Sequence, residues 1–524
     1  MSLTETLVWL VTFSCAALLV RSGFDRETRQ NWFWLSVAIL GATLGGHFAS
    51  WPFLRAFGEI AWAVLVLGPS LLSLAFVRFH LAQRFGVARW IATVMRVLHP
   101  SADWRQWPEM TRALELAQLG RDEEAMEILR RYAALPTSNG LVANAQLYRI
   151  GHRWQEFVEW RKRQLPENAL ARHPSLWPLL LRALGETGDL NAMLAWYEQA
   201  ALRIDRLPAP TRGFCRLALF AFCGRVESVE RVFEHNLREL PDAFRRFWSA
   251  TARLAAGYSA EAREELEALS RSPDHTVRAV AAWRLSHPLA DAREVLEAGG
   301  QAVLEQAERA QVEEERYVDT PRFWGRDARA TRMLVAANLG VFGVELALGG
   351  STNIETLSRL GAVTRLAVQG GEWWRLGASL FLHFGPVHLA MNLLALAWLG
   401  PLVEKALGWG RFLGVYLLAG ISASAVTWLK MAVQTSDEAL VGASGSIMGL
   451  VGATTAVVLR GWVRQKAPSA YRRLSQLLLI VGAQTVFDLL TPRVSLTAHL
   501  SGLATGFLLA SLLPHHKSRS ARKR

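Results

Sequence analysis

The chain is 524 residues long and 51% hydrophobic, and its 21 tryptophans are more than a soluble protein of this size usually carries. A net charge of +13 is compatible with nucleic-acid binding, but many of the basic residues flank apolar segments, as membrane-topology signals do, so we expect no nucleic-acid partner. The cysteines, Cys15, Cys215 and Cys223, have neither metal-ligand nor disulfide spacing. We therefore expect no metal site, and a reducing compartment around the middle of the chain.

The first 85 residues contain three apolar segments close to the length of about 20 residues that crosses a bilayer. No basic residues precede the first segment and no small-residue cleavage site follows it before Arg21, so we interpret it as a retained anchor, not a signal peptide. Residues 1–85 are predicted to be an N-terminal membrane region with three spans, at about 3–20, 32–51 and 60–79.

Residues 100–310 are rich in helix-forming residues and carry few strand signals. A glycine recurs there at spacings of 31 to 37 residues, close to the period of about 34 in tetratricopeptide repeats. We interpret each glycine as a tight turn between antiparallel helices. The segment resembles a tetratricopeptide-like solenoid, which implies a groove for a protein or peptide partner; the alternative is an irregular helical domain with no dedicated partner. The recurring glycines are Gly120, Gly151, Gly188, Gly224 and Gly257.

A charged linker at 311–331 leads into a second membrane region, residues 332–513, and a basic tail follows at 514–524. The whole chain is thus predicted to be an all-α polytopic membrane protein in which a soluble helical domain separates three spans from six. The six later spans are predicted at about 332–349, 380–401, 412–432, 443–461, 475–491 and 496–513.

The distribution of arginine and lysine predicts the orientation of these spans. Basic residues cluster after the first and third spans and in the C-terminal tail, which places the N-terminus outside and both the helical domain and the tail in the cytoplasm. The loop at 350–379 carries Arg359, Arg365 and Arg375 on the outer side and opposes the trend, although long loops follow the rule less strictly. Arginine- and alanine-rich usage further indicates a bacterial inner membrane.

A serine among small residues begins one of the later spans, in the sequence Gly442-Ala443-Ser444-Gly445. Free backbone N–H groups and the helix dipole at a helix N-terminus favour negative charge, so an oxyanion could form and be stabilised there. Small-residue runs also serve helix packing in membranes, and the motif alone therefore does not decide between catalysis and packing.

A histidine lies inside the last apolar span, where an ionisable side chain is costly and indicates function. Gly502 and Gly506 share its face of the helix, and Gly445 and Gly449 follow the serine in the same way. Two glycine-faced helices can approach closely, which would bring Ser444 and His499 within hydrogen-bond reach. The alternative is a core histidine bonded to a neighbouring carbonyl.

A third set of polar residues begins the second of the six spans. His388 and Asn392 are four residues apart and so lie on one helix face, and both can donate hydrogen bonds. That suits an oxyanion hole better than a metal site, because no cysteine or carboxylate cluster accompanies the histidines. His383, just before them, is interpreted as interfacial or structural.

These motifs, in this order and preceded by Trp374-Arg375, resemble those of the rhomboid family over about 190 residues. The resemblance implies a six-helix core and cleavage of transmembrane proteins near the outer face of the membrane, without a cofactor. It implies Ser444 as nucleophile, His499 as general base, and His388, Asn392 and the Ser444 N–H as oxyanion donors. Trp374 and Arg375 would belong to a structural loop at the membrane surface.

Two positions qualify the resemblance. Met448 stands four residues after the serine, where members of the family often carry an aromatic residue that packs on the histidine. No acidic residue matches a third catalytic position, which predicts a Ser-His dyad. Asp488 is the nearest carboxylate in sequence to His499, but it lies eleven residues away with a proline between them, and we do not expect it to be a triad member.

Two other functions use the same features. One is a non-catalytic rhomboid-like protein that binds or chaperones membrane clients, although such proteins usually lack the serine or the histidine. The other is a scaffold in which the helical repeats carry the function and the membrane part is an anchor. A simple anchor has no need of four polar residues inside its spans.

Overall fold

The structure, a computed structural model, is all-α, as the sequence predicts. Within the described ranges there is no β-strand, and an isolated antiparallel bridge joins Val363 to Leu440. The predicted tail at 514–524 and most of the predicted linker beyond Tyr317 lie outside these ranges. The structure describes residues 3–24, 29–99, 102–317, 325, 328–435, 438–465, 468–490 and 495–513.

The chain divides into two compact units. One is Leu7–Arg309, which contains the predicted N-terminal membrane region from residue 7 onward and the predicted helical domain up to residue 309. The other is Ala310–Arg524 together with Met1–Thr6. The division lies next to the start of the predicted linker, but the chain is helical there, because one helix runs on to Tyr317.

The first five helices carry the N-terminal apolar segments. The third and fourth are joined by a π-helical turn at Ala63–Leu67 into one 30-residue apolar helix, Pro52–Leu81, which is long enough to cross a membrane. It begins at Pro52 and not near residue 60, because proline fits the first turn of a helix. The apolar stretches of the first two helices, Leu7–Leu19 and Trp32–Phe48, are shorter. These helices are α1 (Leu3–Phe24), α2 (Arg29–Phe48), α3 (Pro52–Trp62), α4 (Gly68–Leu81) and α5 (Phe85–Leu98).

The middle of the chain folds into successive helix–turn–helix pairs: α6/α7, α8/α9, α11/α12, α13/α14 and α15/α16, with each pair packed on the next. Whether they constitute tetratricopeptide repeats stays a prediction. The helices are α6 (Trp107–Gln118), α7 (Asp122–Ala133), α8 (Ser138–Ile150), α9 (Trp154–Gln164), α10 (Glu167–Leu170), α11 (Trp177–Glu186), α12 (Leu190–Ile204), α13 (Ala209–Phe222), α14 (Val226–His235), α15 (Asp242–Ala255), α16 (Ser259–Leu269), α17 (His275–Ser286), α18 (Ala292–Val295) and α19 (Ala298–Tyr317).

Four of the five repeating glycines occupy the turns in left-handed conformation, as at Gly224, with φ of 70°. A methyl group on Gly224 would lie 3.0 Å from the backbone of the next pair, so both the conformation and the close approach require glycine. The pair α8/α9 differs: His152 adopts the left-handed conformation there, with φ of 52°, and Gly151 does not. The left-handed residue of this turn is therefore His152, one residue after the glycine that the repeat pattern indicates.

The last unit contains the second set of apolar helices. Four of them are long and apolar enough to span a membrane, namely α20, α24, α25 and α26, and Leu496–Leu512 is a shorter apolar helix. The predicted span at 475–491 overlaps α27 up to Leu490, and its last residue lies outside the described residues. The span predicted at 380–401 is displaced, because the helix begins at Pro386. The helices are α20 (Arg329–Ala347), α21 (Ile354–Leu360), α22 (Arg365–Gln369), α23 (Arg375–Ala378), α24 (Pro386–Leu407), α25 (Trp409–Gln434), α26 (Ser444–Gln465), α27 (Pro468–Leu490) and α28 (Leu496–Leu512).

Two buried carboxylates tie α20 into this bundle. Glu404 of α24 accepts hydrogen bonds of 2.9 Å from the backbone N–H groups of Ala330 and Thr331, which caps the start of α20. Glu345 near the other end of α20 accepts a 2.8 Å bond from the backbone N–H of His383. Unpaired backbone groups are costly in an apolar environment, so the pairing of backbone N–H groups accounts for these acidic side chains.

Candidate active site

Ser444 is the first residue of α26, and its side chain is half-buried. The segment that leads to it is held at two points by backbone hydrogen bonds. Leu440 exchanges bonds of 2.9 and 3.0 Å with Val363, and the N–H of Gly442 donates to the carbonyl of Ser379 at 2.9 Å. The serine hydroxyl and backbone N–H are thereby fixed at the positive end of the helix dipole.

Glycines bring α26 and α28 into backbone contact. A methyl group on Gly502 would lie 2.1 Å from the carbonyl oxygen of Gly445, and one on Gly506 would lie 1.9 Å from that of Gly449. Both distances are below any tolerable contact, so the spacing between the two helices depends on the absence of side chains at these positions. Ser444 and His499 each lie next to this contact.

His499 lies in the first turns of α28 and is 5% exposed. The helix start is fixed by Ser495, whose hydroxyl accepts a 3.1 Å bond from the N–H of Ala498. Within the described part of the chain, Ser444 and His499 make no direct hydrogen bond. Catalytic hydrogen bonds are often long without substrate and tighten in the complex, so their placement on adjoining helix starts is the relevant observation.

Asp488, which the sequence did not indicate as a partner of the histidine, contacts His499. Its Oδ2 lies 2.7 Å from Nδ1 of His499, and the Asp488 side chain is 1% exposed. Although eleven residues separate them, Asp488 is near the end of α27 and His499 near the start of α28, so the two helices bring the side chains together. A carboxylate inside an apolar helix was the available signal. Because Nδ1 of His499 contacts Asp488, this nitrogen is not bonded to a neighbouring carbonyl, which was the alternative considered for the histidine.

His388 and Asn392, on α24, face Gly442, two residues before the serine. Gly442 has φ of 127°, and a methyl group there would lie 2.7 Å from Cε1 of His388 and 3.9 Å from Nδ2 of Asn392. Asn392 is 7% exposed, and its Nδ2 has no hydrogen-bond partner among the described residues. A buried amide N–H without a partner is costly, which makes it available to a ligand oxygen at this place.

His383 supports the same corner of the site. Its side chain is fully buried, its backbone N–H is bonded to Glu345, and its ring meets that of His388 edge-on at 5.3 Å between centroids. Of the two interpretations of His383, interfacial or structural, its burial and its contacts favour the structural one.

Trp374 and Arg375 lie in the segment between α20 and α24; their position at a membrane surface stays a prediction. Arg375 is buried, bonds Glu372 at 2.7 Å and donates to the carbonyl of Ala362 at 3.0 Å, and its guanidinium lies 5.0 Å from the ring of Trp374. Trp374 is half exposed. The arginine therefore holds the loop between α20 and α24 in shape.

Two further expectations from the sequence concern metal ligands and the residue Met448. The described residues contain no group of three or more histidine, cysteine, aspartate or glutamate side chains that could hold a metal ion. Met448 is buried in the core of the C-terminal unit, together with residues of α24 and α25.

Comparison with known proteins is consistent with this geometry. Residues 370–516 match the family model described as the Rhomboid domain. Rhomboid protease GluP of Bacillus subtilis (strain 168) is 33% identical over 213 residues, which are 40% of this chain and 40% of that protein. RHOMBOID-like protein 5 of Arabidopsis thaliana is 34% identical over 161 residues, which are 31% of this chain and 50% of that protein.

A shorter relative is matched over most of its length. The putative rhomboid protease YdcA of Bacillus subtilis (strain 168) is 32% identical over 154 residues, which are 29% of this chain and 74% of that protein. The chain thus spans half or less of the two longer relatives and nearly three quarters of this one. With the domain match and the ordered motifs, this shows that the chain belongs to the rhomboid family of membrane proteins.

Proposed function

We propose that this protein is an intramembrane serine protease that cleaves transmembrane proteins. The observation that carries the proposal is the meeting of two helix starts: Ser444 begins α26, His499 lies at the start of α28, and the two helices touch at Gly445 and Gly502. A nucleophile and a base carried on rigid elements that are in backbone contact support a proposal of acyl transfer.

In the proposed reaction, Nε2 of His499 takes the proton of the Ser444 hydroxyl as the oxygen attacks the carbonyl carbon of the scissile peptide. The tetrahedral intermediate collapses when the C–N bond breaks, and the imidazolium returns its proton to the leaving amine. Water then attacks the acyl-serine with His499 again as base, which releases the carboxylic acid and restores the serine.

The oxyanion of each tetrahedral intermediate would be stabilised by Asn392 Nδ2, by His388 and by the backbone N–H of Ser444. Support comes from Gly442: both α24 side chains lie over it, and the amide nitrogen of Asn392 has no other partner among the described residues. Donors that are already in place and shielded from water contribute most to such stabilisation.

The proposed substrates follow from the resemblance to rhomboid proteases, and the proposed orientation from the distribution of basic residues. Single-span proteins with a destabilised helix near the outer membrane face are the proposed substrates. We further propose a bacterial inner membrane, with the N-terminus outside and the helical domain and C-terminal tail in the cytoplasm. A protein or peptide partner of the helical domain is part of this proposal, since stacked helix pairs present an extended groove.

The function is tested by reconstitution in liposomes with a panel of single-span reporter proteins, beside Ser444→Ala. We expect a new N-terminus within or next to the reporter's apolar segment, produced by the wild type and not by the variant. Reporters that bind the wild-type protein but stay intact, under conditions in which the protein is folded, would instead favour a non-catalytic client-binding protein.

A further inference from the structure

Asp488 is the acidic side chain that contacts the proposed base. Its Oδ2 is 2.7 Å from Nδ1 of His499, and its Oδ1 accepts a 2.8 Å hydrogen bond from Nε2 of Gln484, one turn earlier on α27. Each carboxylate oxygen therefore has a partner, and the side chain is fixed from two directions. Rotation of the carboxylate away from the histidine would break both bonds.

This contact selects a tautomer of the imidazole. When Asp488 is ionised, its carboxylate only accepts hydrogen bonds, and Nδ1 of His499 then carries the proton of the bond between them. The other ring nitrogen, Nε2, then has a free lone pair, which a general base needs in order to take a proton from a serine. The same contact also fixes the ring plane, since the carboxylate is itself held by Gln484.

A purely structural role accounts poorly for Asp488. A carboxylate that is 1% exposed, in a helix of a membrane bundle, loses much of its hydration. Replacement of a buried polar pair by apolar residues is often neutral or stabilising, so packing alone does not require this one. Glu404 and Glu345 satisfy backbone N–H groups, whereas both hydrogen bonds that Asp488 makes within the described residues are to side chains.

We propose that Asp488 is a positioning residue that orients His499 and holds the tautomer with Nε2 free, so that the site works as Ser444-His499-Asp488 and not as a dyad. This inference rests on the proposed function. Asp488 acts through His499 and does not touch the substrate, and Gln484 in turn supports Asp488.

The test measures the reaction of the full-length protein in detergent with a fluorophosphonate probe, which separates the maximal rate of inactivation, kinact, from the half-saturating concentration, KI. In Asp488→Asn we expect kinact per titrated site to fall by about 100-fold with KI unchanged, since loss of such a partner is costly in serine proteases. Asp488→Glu, which keeps a carboxylate, should recover part of the rate.

Gly482→Ala is the matched control, because it adds a methyl group to the same helix at a position where nothing in the described part of the chain lies within 4 Å beyond the helix's own neighbouring backbone. It should react within about threefold of the wild type, whereas Gln484→Ala, which frees one oxygen of the carboxylate, should lose part of the rate. Normalisation to the final amount of labelled serine removes any unfolded fraction from the comparison. An Asp488→Asn rate within threefold of the wild type, or a loss that only follows the folded fraction, would overturn the inference. If the wild type itself is not labelled at Ser444, the proposed function fails instead.

Discussion

The spacing between α26 and α28 offers a sharp test, because a single methyl group at Gly506 would force the helices apart. That methyl would lie 1.9 Å from the carbonyl oxygen of Gly449. An ordinary contact is about 3.4 Å, so the helices must separate by about 1.5 Å, which is large compared with the tolerance of a packed interior. Gly506 is two turns from His499, so Gly506→Ala changes the site without touching its residues.

We expect Gly506→Ala to lower the rate of fluorophosphonate labelling by about 100-fold, since misplacement of reacting groups by about 1 Å has that effect. Overpacking should also lower the free energy of unfolding by about 1–3 kcal/mol. Gly482→Ala on α27 is the control: no atom lies within 4 Å of its added methyl, so its rate should equal that of the wild type. A Gly506→Ala protein with wild-type labelling and thermal stability would refute the account of the helix contact.

The other predictions concern the oxyanion donors and the helical domain. Asn392→Ala should lower the maximal rate of reporter cleavage by about 10²–10³-fold with an unchanged KM, and a normal rate would exclude Asn392 as an oxyanion donor. Gly442→Ala places a methyl 2.7 Å from an imidazole at a φ of 127°, so labelling and thermal stability should both fall; unchanged values would contradict the packing described for this loop. In the helical domain, burial by itself would raise the pKa of the Glu186 carboxyl, but Arg284 and Arg182 outweigh it, so the pKa is held below its ordinary value. Stability from this group is therefore present at neutral pH and lost as the pH falls through that lowered pKa. Arg284→Ala should lower the free energy of unfolding of α11 and α17, measured by hydrogen exchange, by about 3–5 kcal/mol at pH 7 and by less in acid. A loss that does not depend on pH would contradict the assigned ion pair.

The sequence predicted the all-α architecture and the placement of most site residues because both depend on local patterns. Apolar length determines a span, and glycines spaced by three or four residues determine which helix faces can touch. The same spacing predicts that Gly445 and Gly502 lie on helix faces that can approach closely. Four of the five repeat turns were identified by the same local logic, since left-handed backbone favours glycine.

What the sequence did not predict depends on how helices pack. Asp488 and His499 are eleven residues apart with a proline between, and separation along the chain was taken as separation in space. The end of one helix and the start of the next can nevertheless lie together, and here their side chains are 2.7 Å apart. The turn at His152 shows the same limit on a smaller scale. The repeat pattern indicates the neighbouring glycine as the turn residue, whereas the left-handed conformation is at His152.

Whether Ser444 is an activated nucleophile is measured most directly by mass spectrometry of the purified full-length protein after reaction with a fluorophosphonate. We expect one adduct per chain, carried by the peptide that contains Ser444, with none formed by Ser444→Ala and a large loss in His499→Ala. An adduct on another residue, or equal labelling of the wild type and His499→Ala, would contradict this expectation.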